Sequence, residues 1–213
     1  MTHESDATTN NFYAKDAGRR VSGLLRSWNN GVDTPWSELD GVRILDIGSG
    51  TADNYVWSPY FARICSVNGA EVTAIDINPQ IGSDQRLFVN ITTDIVSLVA
   101  EGKFKEHPLL KNRKFDIINS TNLVGINRYL GLFDEYDKNC RQKGTWRKFT
   151  FCDFEEMLMA ECETLLAEGG ILDLDDNLFT HHLKYNGKLL KRQNRLIPFT
   201  RCNLVFEDFH DIL

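Results

Sequence analysis

The chain has 213 residues, 42% of them hydrophobic, and a formal net charge of −6, enough for one well-cored domain and short for two. No run of eighteen apolar residues occurs, which excludes a membrane-spanning helix, and the acidic balance argues against unspecific binding to nucleic acid, which needs a basic face. The five cysteines (Cys65, Cys140, Cys152, Cys162, Cys202) include no C-x-x-C pair, so reduced thiols, no structural metal and a cytoplasmic setting are expected.

The N-terminus, MTHESDATTNNFY, is polar and has no apolar core of a secretory signal. Residues 1–9 are expected to be disordered. Phe12, Val21, Leu24, Leu25 and Trp28 are spaced for an amphipathic helix over 10–29, ended by Asn30-Gly31, and residues 1–40 read as an N-terminal helical segment of a single domain spanning 1–213. Val42, Ile44, Leu45 and Ile47 then form a short run rich in β-branched residues, the pattern of a buried parallel strand. Asp46 falls near its carboxyl end and Gly48-Ser49-Gly50 follows at once. Two glycines one residue apart allow a tight turn with no Cβ in the way. A ligand can then lie against the backbone at the carboxyl edge of the sheet.

A dinucleotide fingerprint wants a third small residue after the second glycine. Asp53 stands there instead. With Asp46 it gives the loop two carboxylates, which suit a cationic ligand better than a pyrophosphate. The acid-x-Gly-x-Gly form of Asp46 to Gly50 resembles the first motif of the class I S-adenosylmethionine-dependent methyltransferases. The resemblance implies S-adenosyl-L-methionine as cofactor, held by Asp46, Gly48, Ser49 and Gly50.

Ser58-Pro59 reads as a helix start and Asn68-Gly69 as its end. Glu71 to Asp76 is the second strand, and its terminal acid lies thirty residues beyond Asp46. In βαβ nucleotide folds an acid there accepts hydrogen bonds from ribose hydroxyls. The family resemblance gives Asp76 the same role, with Ile77 beside the cofactor. Arg86 to Ile91 is expected to be the third strand. The family places an acid or amide near its end to read the adenine, and Asn90 and Asp94 are both candidates. Phe115 to Ser120 reads as the fourth strand, which by resemblance sets Ser120, Thr121 and Asn122 near the transferred methyl. Asn119-Ser120-Thr121-Asn122 lacks the prolines and aromatic of the adenine-methylating members, against base methylation.

Residues 123–150 are long for a connection and carry Tyr129, Phe133, Tyr136 and Trp146. They read as a cap over an acceptor pocket or as a surface excursion packed on the core. Asp153 to Glu168 is the clearest helix, with Asp153 and Glu156 as a capping box and Gly169-Gly170 as its stop. Ile171 to Leu174 is the fifth strand, closing on Asp175-Asp176-Asn177. Asp176-Asn177 resembles the magnesium-binding pair of catechol-type O-methyltransferases. Thr121 and Val124, however, stand where that group has its third ligand and its lysine, so no metal is expected. His181, His182 and Asp175 are the candidates for a general base, if the acceptor must lose a proton. Asn186-Gly187 marks a β-hairpin, and Asn203 to Phe206 a last strand. The cations Lys184, Lys188, Lys191, Arg192, Arg195 and Arg201 form either a solvated face or a dock for an anionic substrate.

The fold class expected is α/β: a Rossmann-like three-layer α/β/α sandwich with a mostly parallel sheet and an antiparallel C-terminal strand or hairpin. The activity expected from the resemblance is methyl transfer from S-adenosyl-L-methionine to a small-molecule acceptor, with no membrane or nucleic-acid partner and no assignable oligomeric state. The alternatives are a non-catalytic cofactor-binding partner subunit, an aminopropyltransferase-like enzyme and an NAD(P)-dependent Rossmann enzyme.

Overall fold

The computed structural model describes residues 3–29, 31–50, 59–121, 136, 138, 151–176, 180–185 and 188–192. Asp53, Asn122, Asn177, the turn at 186–187, the strand expected at 203–206 and all of the proposed cap except two residues lie outside these. Of Asp175, His181 and His182 only the backbone is described.

Helix α1 (His3–Trp28) and a short 3-10 turn (Trp36–Leu39) lead into β1 (Arg43–Ile47). There follow α2 (Tyr60–Val67), β2 (Glu71–Asp76), α3 (Asp84–Leu87), β3 (Val89–Thr92) and α4 (Ile95–Ala100). The chain continues through β4 (Phe115–Thr121), α5 (Phe151–Leu165), β5 (Leu166–Asp176), β6 (Thr180–Tyr185) and β7 (Lys188–Arg192). The seven strands form one sheet in the order β3-β2-β1-β4-β5-β6-β7. The first five run parallel, β6 pairs antiparallel to β5, and β7 antiparallel to β6. This is a Rossmann-like α/β sheet whose strand order reverses between β1 and β4, the place where such sheets open a crevice at their carboxyl ends.

Strand pleating sends alternate side chains to opposite faces, and both faces are covered. Ile44, Val72, Ala74, Ile117 and Ile171 pack against Val21, Leu24 and Leu25 of α1 and Phe61, Ala62 and Cys65 of α2. Leu45, Ile47, Ile75, Ile118 and Leu172 pack on the other face against Val96 and Val99 of α4 and Phe154, Leu158 and Cys162 of α5. Burial raises the thiol pKa of both Cys65 and Cys162, so neither is a ready nucleophile.

Several elements depart from what the sequence suggests. Residues 3–9 belong to α1 and are not disordered. The third strand begins at Val89 rather than Arg86. Asp84 is fully buried, and Arg63 donates to both its carboxylate oxygens at 2.8 and 2.7 Å. That pairing anchors the helical turn of α3 where a β-like sequence was expected to extend. Helix α2 starts at Tyr60, one residue beyond Pro59, and α5 starts at Phe151, which puts Asp153 in its first turn and not at its cap. Gly169 and Gly170 lie within β5. Gly170 has no room for a side chain, since a Cβ there would come within 2.9 Å of the Asp116 carbonyl oxygen. Tyr136, from the expected cap, packs on the α4–α5 side of the core.

Candidate functional site

Gly48 and Gly50 turn the chain out of β1 with φ of 72° and 81°, left-handed values that cost a residue with a Cβ. The turn is fastened to β2. The Gly48 and Ser49 amides both donate to the Ile75 carbonyl, at 2.8 and 3.1 Å, and the Gly50 amide donates to Asp76 Oδ2 at 2.9 Å. Asp76 Oδ1 accepts the Asn78 amide at 2.9 Å. Gln80, buried behind the turn, donates from Nε2 to Ser49 Oγ at 3.2 Å and to the Gly50 carbonyl. Asn78 Nδ2 adds a longer contact to Oδ1 at 3.5 Å. An ionised carboxylate has about four lone-pair sites, so Asp76 retains acceptor capacity after these three bonds. It is also only half-buried.

Beneath the turn lies a polar row that crosses the sheet. Asp46 of β1 is in register with Asn119 of β4, and Asn119 with Asp173 of β5. All three are buried. Asn119 Nδ2 donates to Asp46 Oδ1 at 2.6 Å. Arg20, on α1, reaches the row from above the sheet. Its Nε donates to Asn119 Oδ1 at 2.7 Å and its Nη2 to Asp173 Oδ2 at 3.1 Å, with a longer contact to the Ser120 carbonyl. Burial pushes the Asp46 carboxyl up to about 7, against the pull of the Asn119 hydrogen bond and the Arg20 charge, with Asp76 adding a smaller push.

Asp46, Gly48, Ser49, Gly50 and Asp76 are thus brought to one end of β1 and β2, and Ser120 pairs with Ile47 beside them. Ile77 follows β2 and is exposed. Asn90 is a correction. It is held by its own neighbourhood, donating to the Asp84 and Phe88 carbonyls at 3.3 and 3.0 Å. It lines a groove of about 1030 Å³ together with Arg43, Glu71 and Phe115, residues that begin their strands. That groove is at the opposite edge from the glycine turn. Asp94 follows β3 at the carboxyl edge, where it caps α4 by accepting the Val96 and Ser97 amides. On the far side of the sheet, His181 is in register with Asp175 and His182 with Leu174.

Arg20, Gln80 and the partnership of Asn119 with Asp173 were not anticipated. A signal for Arg20 is in the sequence, since it interrupts the stripe of Ala17, Val21, Leu24 and Leu25 that faces the core. Asp173 likewise interrupts Ile171-Leu172-Asp173-Leu174. Among the described residues no group of three His, Cys, Asp or Glu is arranged to hold a metal, and no helix is long and apolar enough to cross a membrane.

No family model matches the sequence, and no curated protein matches it. Among solved structures the chain is similar to two of MycE methyltransferase from the mycinamycin biosynthetic pathway. One, in complex with Mg, SAH and mycinamycin VI, is 15% identical over 68% of this chain and 35% of that one, with a TM-score of 0.35. The other, with Mg and SAH, is 13% identical over 78% of this chain and 35% of that one, with a TM-score of 0.38. The chain spans about a third of the length of that methyltransferase. Likeness at this level is too distant to transfer activity, and the fold rests on the strand order and pairing above.

Proposed function

We propose that the chain binds S-adenosyl-L-methionine at the carboxyl edge of β1 and β2 and transfers its methyl group to a small-molecule acceptor. The observation that carries this reading is the left-handed turn at Gly48 and Gly50, set between a buried acid on β1 and the acid that ends β2. The residues present suit that cofactor. The turn presents backbone with no side chain in the way, Asp76 keeps acceptor capacity for a ribose hydroxyl, and Asp46 places an acid below a ligand ammonium.

Asp46 is only 3% exposed, so its contribution is the field of its charge, passed on through the turn or a bridging water, and not direct contact. Bound here, S-adenosyl-L-methionine would supply a sulfonium methyl, already attached to a good leaving group. The protein's work is then to hold two molecules in line and dry, which in intramolecular reactions is worth several orders of magnitude. Ser49, Gly50 and Ser120 would line the ligand. Asp94, at the carboxyl edge, is the candidate for the adenine amino group in place of Asn90. Asp175 and His181, opposite one another on β5 and β6, and the adjacent His182 are the proposed sources of a base where the acceptor needs one.

Calorimetry with S-adenosylhomocysteine tests this. A hydrogen bond to a charged group is worth about 1.5–3 kcal/mol, so Asp76→Ala is expected to weaken affinity roughly ten- to hundredfold. Unchanged affinity in that variant removes the ribose assignment. A wild-type protein that is stabilised by NADPH and not by S-adenosylhomocysteine removes the methyltransferase reading altogether.

A further inference from the structure

We infer that Arg20, on the N-terminal helix, is a positioning residue that fixes the orientation of the Asn119 amide and thereby holds Asp46 as the hydrogen-bond acceptor beneath the glycine turn. The inference rests on the reading of that turn as a cofactor site only for its consequence in binding. The relay itself is a property of the ligand-free chain.

The argument is one of donors and acceptors. A guanidinium carries N–H donors only, so the side of Asn119 that meets Arg20 Nε at 2.7 Å has to be its carbonyl oxygen. The amide nitrogen is then forced toward Asp46, where it donates at 2.6 Å. Asp46 Oδ1 must accept, and an accepting carboxylate is favoured in its ionised form. Were Arg20 replaced by a group that can accept, the Asn119 amide could turn over and present its oxygen to Asp46. Asp46 would then satisfy that oxygen only by carrying a proton. Arg20 thus sets the polarity of the row from one end, with no contact to the turn itself.

Packing makes the relay specific. Arg20 and Asp173 have side chains only 13% and 10% exposed, and Asn119 is 1% exposed. Water is therefore a poor substitute for any member. The charged and titratable groups that face Asp46 are Arg20 from α1, Cys65 from α2 and Asp76 from β2, with Asp173 of β5 reached through Arg20. Arg20 is the cation of that set, and it serves two acids. Helix α1 is held to the core by Val21, Leu24 and Leu25, so the docking of the N-terminal helix and the charge below the turn are linked through one side chain.

The test follows Asp46 directly by carboxyl ¹³C titration of the labelled full-length protein without ligand, and separately measures S-adenosylhomocysteine affinity between pH 6 and 9. The variants are Arg20→Lys, a donor-only replacement; Arg20→Gln, whose amide can donate or accept; and the apolar pair Arg20→Met/Asp173→Leu. The Lys variant is expected to keep the wild-type midpoint. The Gln variant and the apolar pair are expected to raise it by at least one unit, with affinity at pH 7 weakened at least about fivefold and recovering by pH 9. A midpoint unmoved in folded Arg20→Gln overturns the relay, and so does a Lys variant that behaves like Gln. If the apolar pair does not fold, the Lys–Gln contrast still decides. If the midpoints move as expected and wild type has no affinity for S-adenosylhomocysteine at any pH, the relay stands and the cofactor reading falls.

Discussion

Two arginines tie the sheet of this protein together, and they do so in opposite ways. At the amino edge, Arg43 of β1 donates from Nε and Nη2 to the two carboxylate oxygens of Asp116 at 2.9 and 2.8 Å, while its own backbone amide adds a third bond at 3.0 Å. The pair is partly open to solvent, with side chains 45% and 22% exposed. Burial pushes the Asp116 carboxyl up, but the Arg43 hydrogen bonds and charge together pull it below its ordinary value. Near the carboxyl edge, Arg20 is divided between Asn119 and Asp173, and the second acid of the row, Asp46, is driven up to about 7. One network is matched charge for charge and sits where water can help. The other is largely buried, sets Arg20 against Asp173 and Asp46 among the described residues, and lies under the turn proposed to take a cationic ligand. Groups held away from their relaxed ionisation tend to mark functional places.

The largest effect that separates the two networks is expected at Arg20. Removing one partner of a buried ion pair leaves an uncompensated charge, at a cost of about 3–5 kcal/mol. Arg20→Met is therefore expected to lower the unfolding free energy by that amount in urea titration at pH 7. Arg20→Met/Asp173→Leu should recover most of it, because an apolar pair of similar volume removes the acid that Arg20 faces as well. A double variant no more stable than the single one would mean that Arg20 acts by packing and not by charge.

Asp46→Asn comes next, and it runs in the other direction. The folded-state pKa of Asp46, about 7, lies above the ordinary 3.8. Between those values the folded chain holds a proton that the unfolded chain has released, so stability falls as pH rises from about 4 to 7. Asparagine at this position keeps an oxygen for the Asn119 amide and carries no charge. At about 1.36 kcal/mol per unit, the variant gains as much as about 4 kcal/mol at pH 8, less whatever the buried site recovers by relaxing, and gains nothing below pH 4. Thermal melts at pH 8 and pH 4 check the sign. If S-adenosylhomocysteine affinity falls in the same variant, the wild-type acid is retained for binding at the expense of stability.

The contrast between the networks also explains what could be read from the sequence. Strands β1, β2 and β4 were legible because parallel strands covered on both faces are near-continuous apolar runs, and the glycine turn was legible because few other residues tolerate its φ values. The row of Asp46, Asn119 and Asp173 was not. Each is a single polar residue in an apolar strand, and their alignment depends on the register of β1, β4 and β5, which local pattern does not encode. Arg20 completes the row from more than twenty residues upstream of β1. Asn90 looked like a strand-end amide only because β3 was expected to start and end too early; the partly buried Arg63–Asp84 pair, a long-range contact, holds the turn before β3. The first turns of α1 were missed because their sequence, HESDATTNN, carries almost no apolar signal.

The smallest effect is expected at the amino edge, and it sharpens the comparison most directly. Exposed ion pairs contribute about 0–1 kcal/mol, and in Arg43→Met the backbone amide of residue 43 still donates to Asp116, so the loss should stay near or below 1 kcal/mol at pH 7. The pH window follows from the sign of the shift. A carboxyl held below its unfolded value stabilises the fold above that value, and the contribution is lost as pH falls through the folded-state pKa. The difference between wild type and Arg43→Met should therefore shrink as pH falls below the ordinary carboxyl range. For Asp46 the window lies instead between about pH 4 and 7, and stability falls on the alkaline side. Urea titrations of Arg43→Met at pH 7 and pH 3 test this. If Arg43→Met proves as costly as Arg20→Met, exposure is not what distinguishes the two arginines, and the case for a functional role beneath the glycine turn loses its contrast.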